Sequence, residues 1–276
     1  MNKFIAAMDH SGGSTGGVLE RYGQEYTEEN KMEKVHAMRL RMVNSPDFTS
    51  DNIKGVIVYK DTLDRNMAPI LHEKDIPIYL KVDSGCNSDG TLKDFDVDTM
   101  IQFANKHSCT GTKMRSIIHS VDMIAPVLNQ QFEIAKQIAE GFLMPIIEPE
   151  VPIDSDNKRE IEWKLAAQLK QKLNTFHHYI DIHRLYTMLK LTPPEENNLY
   201  YDLTNHHNVH SIVALSGGYS TEEACQRLSK QKSISASFSR ALSEGLYAWQ
   251  DDTAFNARIT QNIKMIKDAS CNEICN

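Results

Sequence analysis

A single lysine interrupts an otherwise mostly apolar run, Thr187-Met188-Leu189-Lys190-Leu191-Thr192. A lysine side chain that is removed from water beside other cations loses its proton more readily, which leaves more neutral amine to attack a carbonyl carbon. Lys113 is the cation that we expect beside it. The pattern predicts that Lys190 is a nucleophile that forms a Schiff base, although its spacing equally fits a lysine that contacts a phosphate group.

Carboxylates at the ends of two other apolar runs are suited to the proton transfers that such a lysine needs. Loss of water from a carbinolamine requires an acid and a base, and the order of the elements along the chain places Glu148 to serve as both. Asp9 follows the first apolar run and is suited to accept a proton from a substrate hydroxyl group. Together these residues indicate carbonyl chemistry in which a carbon–carbon bond is broken.

Two glycine-containing loops have the composition of phosphate-binding segments. Leu215-Ser216-Gly217-Gly218 follows a predicted strand and precedes Ser220-Thr221-Glu222-Glu223, which has the spacing of a helix N-cap. Glycines allow backbone N–H groups to turn towards an anion, the helix start adds a favourable dipole, and Arg240 would add a forked, permanently charged donor. The similar loop Asp9-His10-Ser11-Gly12-Gly13-Ser14 would bind a second phosphate together with Lys81. A plain turn is the alternative interpretation of these loops.

Charged side chains are concentrated where predicted strands end, although the chain as a whole is acidic. Its 30 Lys and Arg residues and 37 Asp and Glu residues give a formal net charge of −7. Unpaired buried charges are costly, so we expect these side chains to face one another or a small, strongly anionic ligand. A structural ion-pair network is the alternative. The residues are the cations Lys81, Lys113, Arg115, Lys190 and Arg240 and the carboxylates Asp9, Glu148 and Glu150.

Eight short apolar or β-branched runs, about 33 residues apart on average, predict the strands that position these side chains. Amphipathic helical patterns occupy most of the intervals, as in the segment from Ile161 to Leu173. Strands that alternate with helices indicate a parallel sheet, and eight such units favour an α/β protein of the (β/α)8 TIM-barrel type, with a single domain over 1–276. The carboxyl ends of the strands form the active-site face of such a barrel. The predicted strands are Phe4–Asp9, Gly55–Tyr59, Pro77–Asp83, Gly111–Ile117, Met144–Glu150, Thr187–Thr192, Ser211–Ser216 and Ser235–Arg240.

Composition and cysteine usage exclude several classes of protein. Hydrophobic residues make up 41 % and charged residues 24 %, which is ordinary for a folded protein and excludes a disordered or fibrous chain. The acidic net charge argues against nucleic-acid partners. The five cysteines are scattered, the amino-terminal apolar run is too short for a signal peptide, and no run is long enough to cross a membrane. We therefore expect a cytoplasmic protein without membrane partners, in which the pair Cys271 and Cys275 does not form a zinc site.

The charged and glycine-containing motifs occur in the order found in class I fructose-bisphosphate aldolases. The sequence resembles the compact bacterial branch of that family from Phe4 to about residue 270. The resemblance implies reversible cleavage of fructose 1,6-bisphosphate, in glycolysis and gluconeogenesis, to dihydroxyacetone phosphate and glyceraldehyde 3-phosphate. It also implies a covalent Schiff base on Lys190 and a reaction without a metal ion or other cofactor. The motifs are Ala6-Ala7-Met8-Asp9, Leu80-Lys81-Val82-Asp83, Gly111-Thr112-Lys113-Met114-Arg115, Pro145-Ile146-Ile147-Glu148-Pro149-Glu150, Met188-Leu189-Lys190, Leu215-Ser216-Gly217-Gly218 and Ser237-Phe238-Ser239-Arg240-Ala241-Leu242.

The same resemblance implies a role for each site residue. Glu148 is the acid and base for formation and breakdown of the Schiff base, Asp9 assists carbon–carbon cleavage, and Lys113 orients the substrate and supports proton transfer. The implied binding residues are Ser216, Gly217, Gly218 and Arg240 at the phosphate of the ketone half, Lys81, Ser11 and Ser14 near the other phosphate, and Arg115, Glu150 and Ser237 elsewhere in the pocket.

Two departures from the family pattern bear on the reaction and on assembly. Animal members end in a tyrosine that takes part in proton transfer, whereas this sequence ends in Cys271-Asn272-Glu273-Ile274-Cys275-Asn276, so another group or solvent must replace it. Family members usually have a further helical segment before the first strand. Its absence bears on stability and on the contacts of a homo-oligomer, which the sequence leaves open.

The sequence leaves two alternative functions open: an aldolase that uses a zinc ion bound by histidines, and a different enzyme that uses a Schiff-base lysine. A zinc-dependent aldolase would place histidine ligands at the mouth of the barrel, but the clustered histidines precede the sixth and seventh predicted strands, which favours a surface cluster. A transaldolase or a deoxyribose-phosphate aldolase would use a Schiff-base lysine with one phosphate site instead of two. The clustered histidines are His177, His178, His183, His206, His207 and His210.

Overall fold

The computed structural model describes residues 3–12, 14–183 and 186–270, which form a barrel of eight parallel strands. Each strand is hydrogen-bonded to the next in chain order, and Ala7 N donates to the carbonyl oxygen of Phe238 at 3.3 Å, which joins the first strand to the segment after the last. The predicted (β/α)8 barrel is confirmed. The strands are β1 (Phe4–Met8), β2 (Ile53–Val58), β3 (Ile78–Lys81), β4 (Gly111–Ile117), β5 (Met144–Glu150), β6 (Thr187–Leu191), β7 (Val209–Ala214) and β8 (Ile234–Ala236).

Helices connect the strands and cover the outside of the barrel. They are α1 (Ser14–Tyr22), α2 (Lys31–Val43), α3 (Lys60–Asp64), α4 (Ala68–Glu73), α5 (Val97–Lys106), α6 (Ile124–Glu140), α7 (Lys158–His183), α8 (Tyr201–Thr204), α9 (Thr221–Leu228), α10 (Arg240–Ser243) and α11 (Asp252–Ala269). The predicted cap of α9 is confirmed, because the Ser220 hydroxyl oxygen accepts a hydrogen bond from Glu223 N. Within the described ranges, no helix combines the length and the apolar character needed to cross a bilayer.

The bounds of the first seven strands lie within two residues of the predicted ones, but the eighth prediction is wrong at its end. The prediction was Ser235–Arg240, whereas β8 ends at Ala236 and Arg240 begins α10. The buried residues after β8 explain the difference. Phe238, Ala241 and Leu242 are fully or almost fully buried, and this spacing of three and four residues is that of a helix turned towards the core.

Alternating side chains divide the apolar residues between the inside and the outside of the barrel. A separate cluster, which includes Ile5, Ala7, Ile146 and Met188, fills the interior. The residues that adjoin these along their strands, such as Leu189 next to Met188, belong to the larger cluster formed with the helices. Successive side chains of a strand point to opposite faces, so every second residue of each strand is directed into the barrel.

Tyr79 fills the barrel interior between two glycines. A Cβ atom at Gly55 would lie 2.8 Å from the Tyr79 ring, and one at Gly111 would lie 3.0 Å from it and only 2.0 Å from the carbonyl oxygen of Met144. Such distances are too short for a side chain. The two glycines therefore leave the space that the ring occupies, and burial raises the pKa of the Tyr79 phenol to about 12.

Candidate active site

A cavity of about 750 Å³ opens at the carboxyl ends of the strands. It is the face on which barrels of this type carry their active sites. The side chain of Ser14 lies outside the described residues. The other predicted site residues all line this one cavity: Asp9, Ser11, Lys81, Lys113, Arg115, Glu148, Glu150, Lys190, Ser216, Gly217, Gly218, Ser237 and Arg240.

The strand alternation explains why the charged residues meet in the cavity. Met188 lies in the interior apolar cluster, and Lys190, two residues later on the same face, lines the cavity. Ile146 and Glu148 of β5 are related in the same way. Because Ile146 pairs with Met188, these two strands change from apolar to charged inward residues at the same level.

Four buried charges alternate in sign across the floor of the cavity. Lys113 Nζ lies 2.7 Å from Asp9 Oδ2 and 2.8 Å from Glu148 Oε2. The other oxygen, Glu148 Oε1, lies 3.2 Å from Lys190 Nζ. Lys113, Glu148 and Lys190 are 2–4 % exposed, so their attraction is only weakly screened by solvent. The sequence predicted Lys113 directly beside Lys190. In the structure, the carboxylate of Glu148 lies between these two lysines.

The central charges shift the pKa values of Asp9 and Lys113 in opposite directions. Burial alone would raise the pKa of Asp9, but the charges of Lys113 and Lys190 and the hydrogen bond from Lys113 outweigh it, so this pKa lies well below its usual range. Burial alone would lower the pKa of Lys113, but Asp9 and Glu148 outweigh it and hold this pKa above its usual range. Both side chains are therefore ionised at neutral pH, and the ion pair stabilises each charge.

A second group of charges lies at the ends of β3, β4 and β5. Lys81 Nζ lies 3.1 Å from Asp83 Oδ1 and donates to the Ser11 hydroxyl at 3.1 Å. Arg115 Nε donates to Glu150 Oε2 at 2.6 Å. Asp83 is 3 % exposed and accepts a hydrogen bond from Arg115 N at 3.1 Å. The sequence reasoning left Asp83 out of the pocket, although it is the fourth carboxylate beside five cations, so the excess of positive charge is smaller than expected.

The loop after β7 presents free backbone donors next to a guanidinium group. Gly217 and Gly218 have φ of 57° and 106°, which favour glycine. In the part of the chain that the structure describes, neither N–H donates a hydrogen bond. Arg240 NH1 donates to the carbonyl oxygen of Gly218 at 3.4 Å, and no described carboxylate pairs with it. This end of the cavity has the donors for a phosphate group.

Sequence reasoning gave no role to several residues that shape the site. His10 and Ser239 line the cavity, and His10 Nε2 lies 2.8 Å from the Ser239 hydroxyl oxygen. Arg39 of α2 is completely buried beneath the first loop, where it donates to the carbonyl oxygen of His10 at 2.6 Å. The position of His10 next to Asp9 was a usable signal for the histidine. Nothing in the amphipathic pattern of α2 indicated the arginine.

The imidazole of His10 makes stability depend on pH. Burial lowers the pKa of His10 from 6.5 to about 4, although the charge of Asp9 acts in the opposite direction. Between these values the unfolded chain binds a proton that the folded chain does not, so stability present above pH 6.5 is lost as the pH falls. From pH 7 to pH 4 we expect the free energy of unfolding to fall by about 3 kcal/mol more in the wild type than in His10→Gln. Urea unfolding at both pH values measures this difference, and equal losses in the two proteins would contradict it.

The described side chains of the histidine cluster, those of His206, His207 and His210, do not line the cavity. The rings of His206 and His207 stack at 4.5 Å before β7, and His210 lies within β7 beside Ser211. The side chains of His177, His178 and His183 and the pair Cys271 and Cys275 lie outside the described residues. Among the side chains that are described, no three His, Cys, Asp or Glu residues are grouped as ligands for a metal ion.

Comparison with known proteins agrees with the architecture. No protein-family model matches the chain. The structure is similar to that of a fructose-bisphosphate aldolase from Plasmodium falciparum, with a TM-score of 0.75, 18 % identity, and coverage of 99 % of this chain and 92 % of the other. It is also similar to Cgl0159 from Corynebacterium glutamicum, with a TM-score of 0.58, 17 % identity, and coverage of 97 % and 86 %. Likenesses at this identity show the fold: the chain is a (β/α)8 barrel.

Proposed function

We propose that the protein is a class I fructose-bisphosphate aldolase that cleaves fructose 1,6-bisphosphate through a Schiff base on Lys190. The observation that carries the proposal is the contact of 3.2 Å between Lys190 Nζ and Glu148 Oε1 on the floor of the cavity. An amine and a carboxylate at this distance are the nucleophile and the acid–base group that imine formation requires. The resemblance of the sequence motifs to the family points to the same two residues.

The first half of the proposed reaction forms the imine. Lys190 first passes a proton to Glu148, and its neutral amine adds to the carbonyl carbon of the open-chain sugar. A proton then moves from the nitrogen to the oxygen of the adduct, which gives the carbinolamine. The carbinolamine oxygen takes the proton back from Glu148 and leaves as water, and a protonated imine remains. The buried position of Lys190, 4 % exposed, limits access of bulk water to this step. Glu148 is within reach of both lysines, so it can exchange protons with Lys190 while Lys113 stabilises its charge.

The second half breaks the carbon–carbon bond. The protonated imine accepts the bonding electrons, the hydroxyl group on the far carbon loses its proton to Asp9, and the aldehyde product leaves. The remaining enamine takes up a proton at carbon from solvent, and Asp9 returns its proton to solvent. Water then hydrolyses the imine, which releases the ketone product and restores the amine. Because Lys113 lowers the pKa of Asp9, we infer that the ammonium group must shift towards the substrate before Asp9 becomes basic enough. The imine serves as the electron acceptor, so the proposed reaction needs no metal ion.

Two groups of donors in the cavity would bind the two phosphates of the substrate. The loop with Ser216, Gly217 and Gly218, together with Arg240, would bind the phosphate of the ketone half. Lys81 and Ser11, which are 3.1 Å apart, also line the cavity and would contact the second phosphate. A transaldolase or a deoxyribose-phosphate aldolase would need only one of these groups of donors.

Borohydride reduction in the presence of dihydroxyacetone phosphate tests the proposal. We expect one covalent adduct per chain, formed only when this ketone is present, and peptide mapping should place it on Lys190. The reaction should proceed equally well with a chelator present. An adduct on another lysine, or no adduct, would contradict the mechanism. Fructose 1,6-bisphosphate should compete with dihydroxyacetone phosphate for trapping much more strongly than sugar monophosphates do. This difference distinguishes the proposed enzyme from the other enzymes that use a Schiff-base lysine.

A further inference from the structure

The barrel is joined least extensively where β1 meets β8. β8 has only three residues, and among the residues that the structure describes the strand order runs from β1 to β8 without a ladder between these two strands. The backbone bond from Ala7 N to the carbonyl oxygen of Phe238 crosses this seam. A side-chain contact across this seam would therefore add to the few bonds that hold the two neighbouring loops relative to each other.

His10 and Ser239 make such a contact on the cavity side of the seam. His10 Nε2 and the Ser239 hydroxyl are joined by a hydrogen bond of 2.8 Å, and both residues line the cavity. They are 229 positions apart in the chain. The bond thus connects the loop after β1 directly to the loop after β8.

Arg39 fixes one half of this connection from beneath. Its guanidinium group is completely buried and donates to the carbonyl oxygen of His10 at 2.6 Å and to the Thr62 hydroxyl at 2.8 Å. Burial lowers the pKa of Arg39 to about 10, so the group is still charged at neutral pH. The backbone of His10 is therefore held by α2 while its ring reaches across the seam.

Each connected loop carries residues of the candidate site. Asp9 and Ser11 flank His10, whereas Ser237 and Arg240 lie on either side of the Ser239 segment. We propose that His10 and Ser239 form a clasp across the β1–β8 seam that sets the position of Arg240 relative to Asp9. Both are positioning residues, and the proposal rests on the proposed function, in which a bisphosphate contacts both loops at once.

A substrate that spans the seam should depend on the clasp, and one that occupies a single side should not. For His10→Ala and Ser239→Ala we expect kcat/KM for fructose 1,6-bisphosphate to fall about tenfold, the size expected for one lost hydrogen bond. The double variant should lose no more than either single variant, because both remove the same interaction. Borohydride trapping of dihydroxyacetone phosphate, which occupies only the ketone side, should stay within about twofold.

Two control variants distinguish the clasp from general damage. His10→Gln keeps a hydrogen-bonding group at a similar distance and should recover most of kcat/KM. Ser243→Ala removes a hydroxyl that bonds to the carbonyl oxygens of Ser239 and Arg240 on the same side of the seam, and it should leave kcat/KM within about twofold. Additive losses in the double variant, or an equal fall in trapping, would overturn the proposal.

Amide hydrogen exchange tests the clasp without any substrate. We expect faster exchange in both segments 9–18 and 237–246 for either alanine variant, and wild-type exchange in both for His10→Gln. Faster exchange confined to the substituted loop would overturn the proposal. If the wild type forms no adduct with dihydroxyacetone phosphate, the proposed function fails, while the exchange result still decides whether the clasp exists.

Discussion

Replacing Lys190 with methionine is expected to lower the turnover of fructose 1,6-bisphosphate by about 10⁵-fold or more while the barrel remains folded. The amine is the proposed nucleophile, and losses of this order follow removal of a nucleophile in other enzymes. Lys113 cannot replace it, since its ammonium group lies within 2.8 Å of two carboxylates. Methionine fills a similar volume, and Glu148 keeps Lys113 as its partner, so no buried charge is left unpaired.

Lys54→Met is the matched control for this substitution. Lys54 also lies largely buried within a barrel strand, but near the amino-terminal end, where its Nζ donates to the Ser211 hydroxyl at 2.9 Å. This variant should turn over substrate within about threefold of the wild type. Steady-state kinetics measure both variants, and circular dichroism verifies that each is folded. Activity of Lys190→Met above about 1 % of wild type would show that another group is the nucleophile.

Replacing Glu148 with glutamine is expected to lower kcat by about 10²- to 10⁴-fold, the range typical for removal of a general acid–base group. The amide has nearly the same shape as the carboxylate but neither accepts nor supplies the proton needed for loss of water from the carbinolamine. It also leaves two lysines without the carboxylate that separates them. The imine should therefore form slowly on an intact Lys190.

The rate of borohydride trapping with dihydroxyacetone phosphate measures this effect, because it reports imine formation separately from bond cleavage. Glu150→Gln is the control, since Glu150 lies two residues further along β5 and pairs with Arg115 instead of a lysine. It should change the trapping rate by less than about tenfold. A normal trapping rate in Glu148→Gln, or an equal loss in both variants, would remove Glu148 from the acid–base role.

Side chains alternate between the two faces of a strand, and this alternation explains which part of the site could be predicted from the sequence. The inward direction of Lys113 and Glu148 follows from their strands alone, and the barrel brings the carboxyl ends of all strands together. The predicted strands therefore identified most of the charged residues that line the cavity, but not Asp83. The order of the ion pairs, with Glu148 between Lys113 and Lys190, depends on the side-chain conformations inside the barrel, and periodicity carries no information on these.

Contacts between distant segments account for most of what the sequence did not reveal. His10 meets Ser239 only because the barrel closes, and Arg39 reaches the first loop from the outer layer. The early end of β8 has a different cause. The apolar residues Phe238, Ala241 and Leu242 are compatible with a longer eighth strand and also with a short helix. Only their packing against the core decides between the two.

The charged floor of the cavity rests directly on the apolar filling of the barrel. Met188 precedes Lys190 by two residues, as Ile146 precedes Glu148, and two strand residues span only about 6.6 Å. A substitution that changes the side-chain volume at Met188 or Ile146 therefore shifts the position of the Lys190 amine or the Glu148 carboxylate in the cavity. Under the proposed function, substrate preference is therefore open to tuning, by natural drift or by laboratory selection, at positions that do not contact the sugar. An alignment would show such changes only as conservative exchanges of one hydrophobic residue for another.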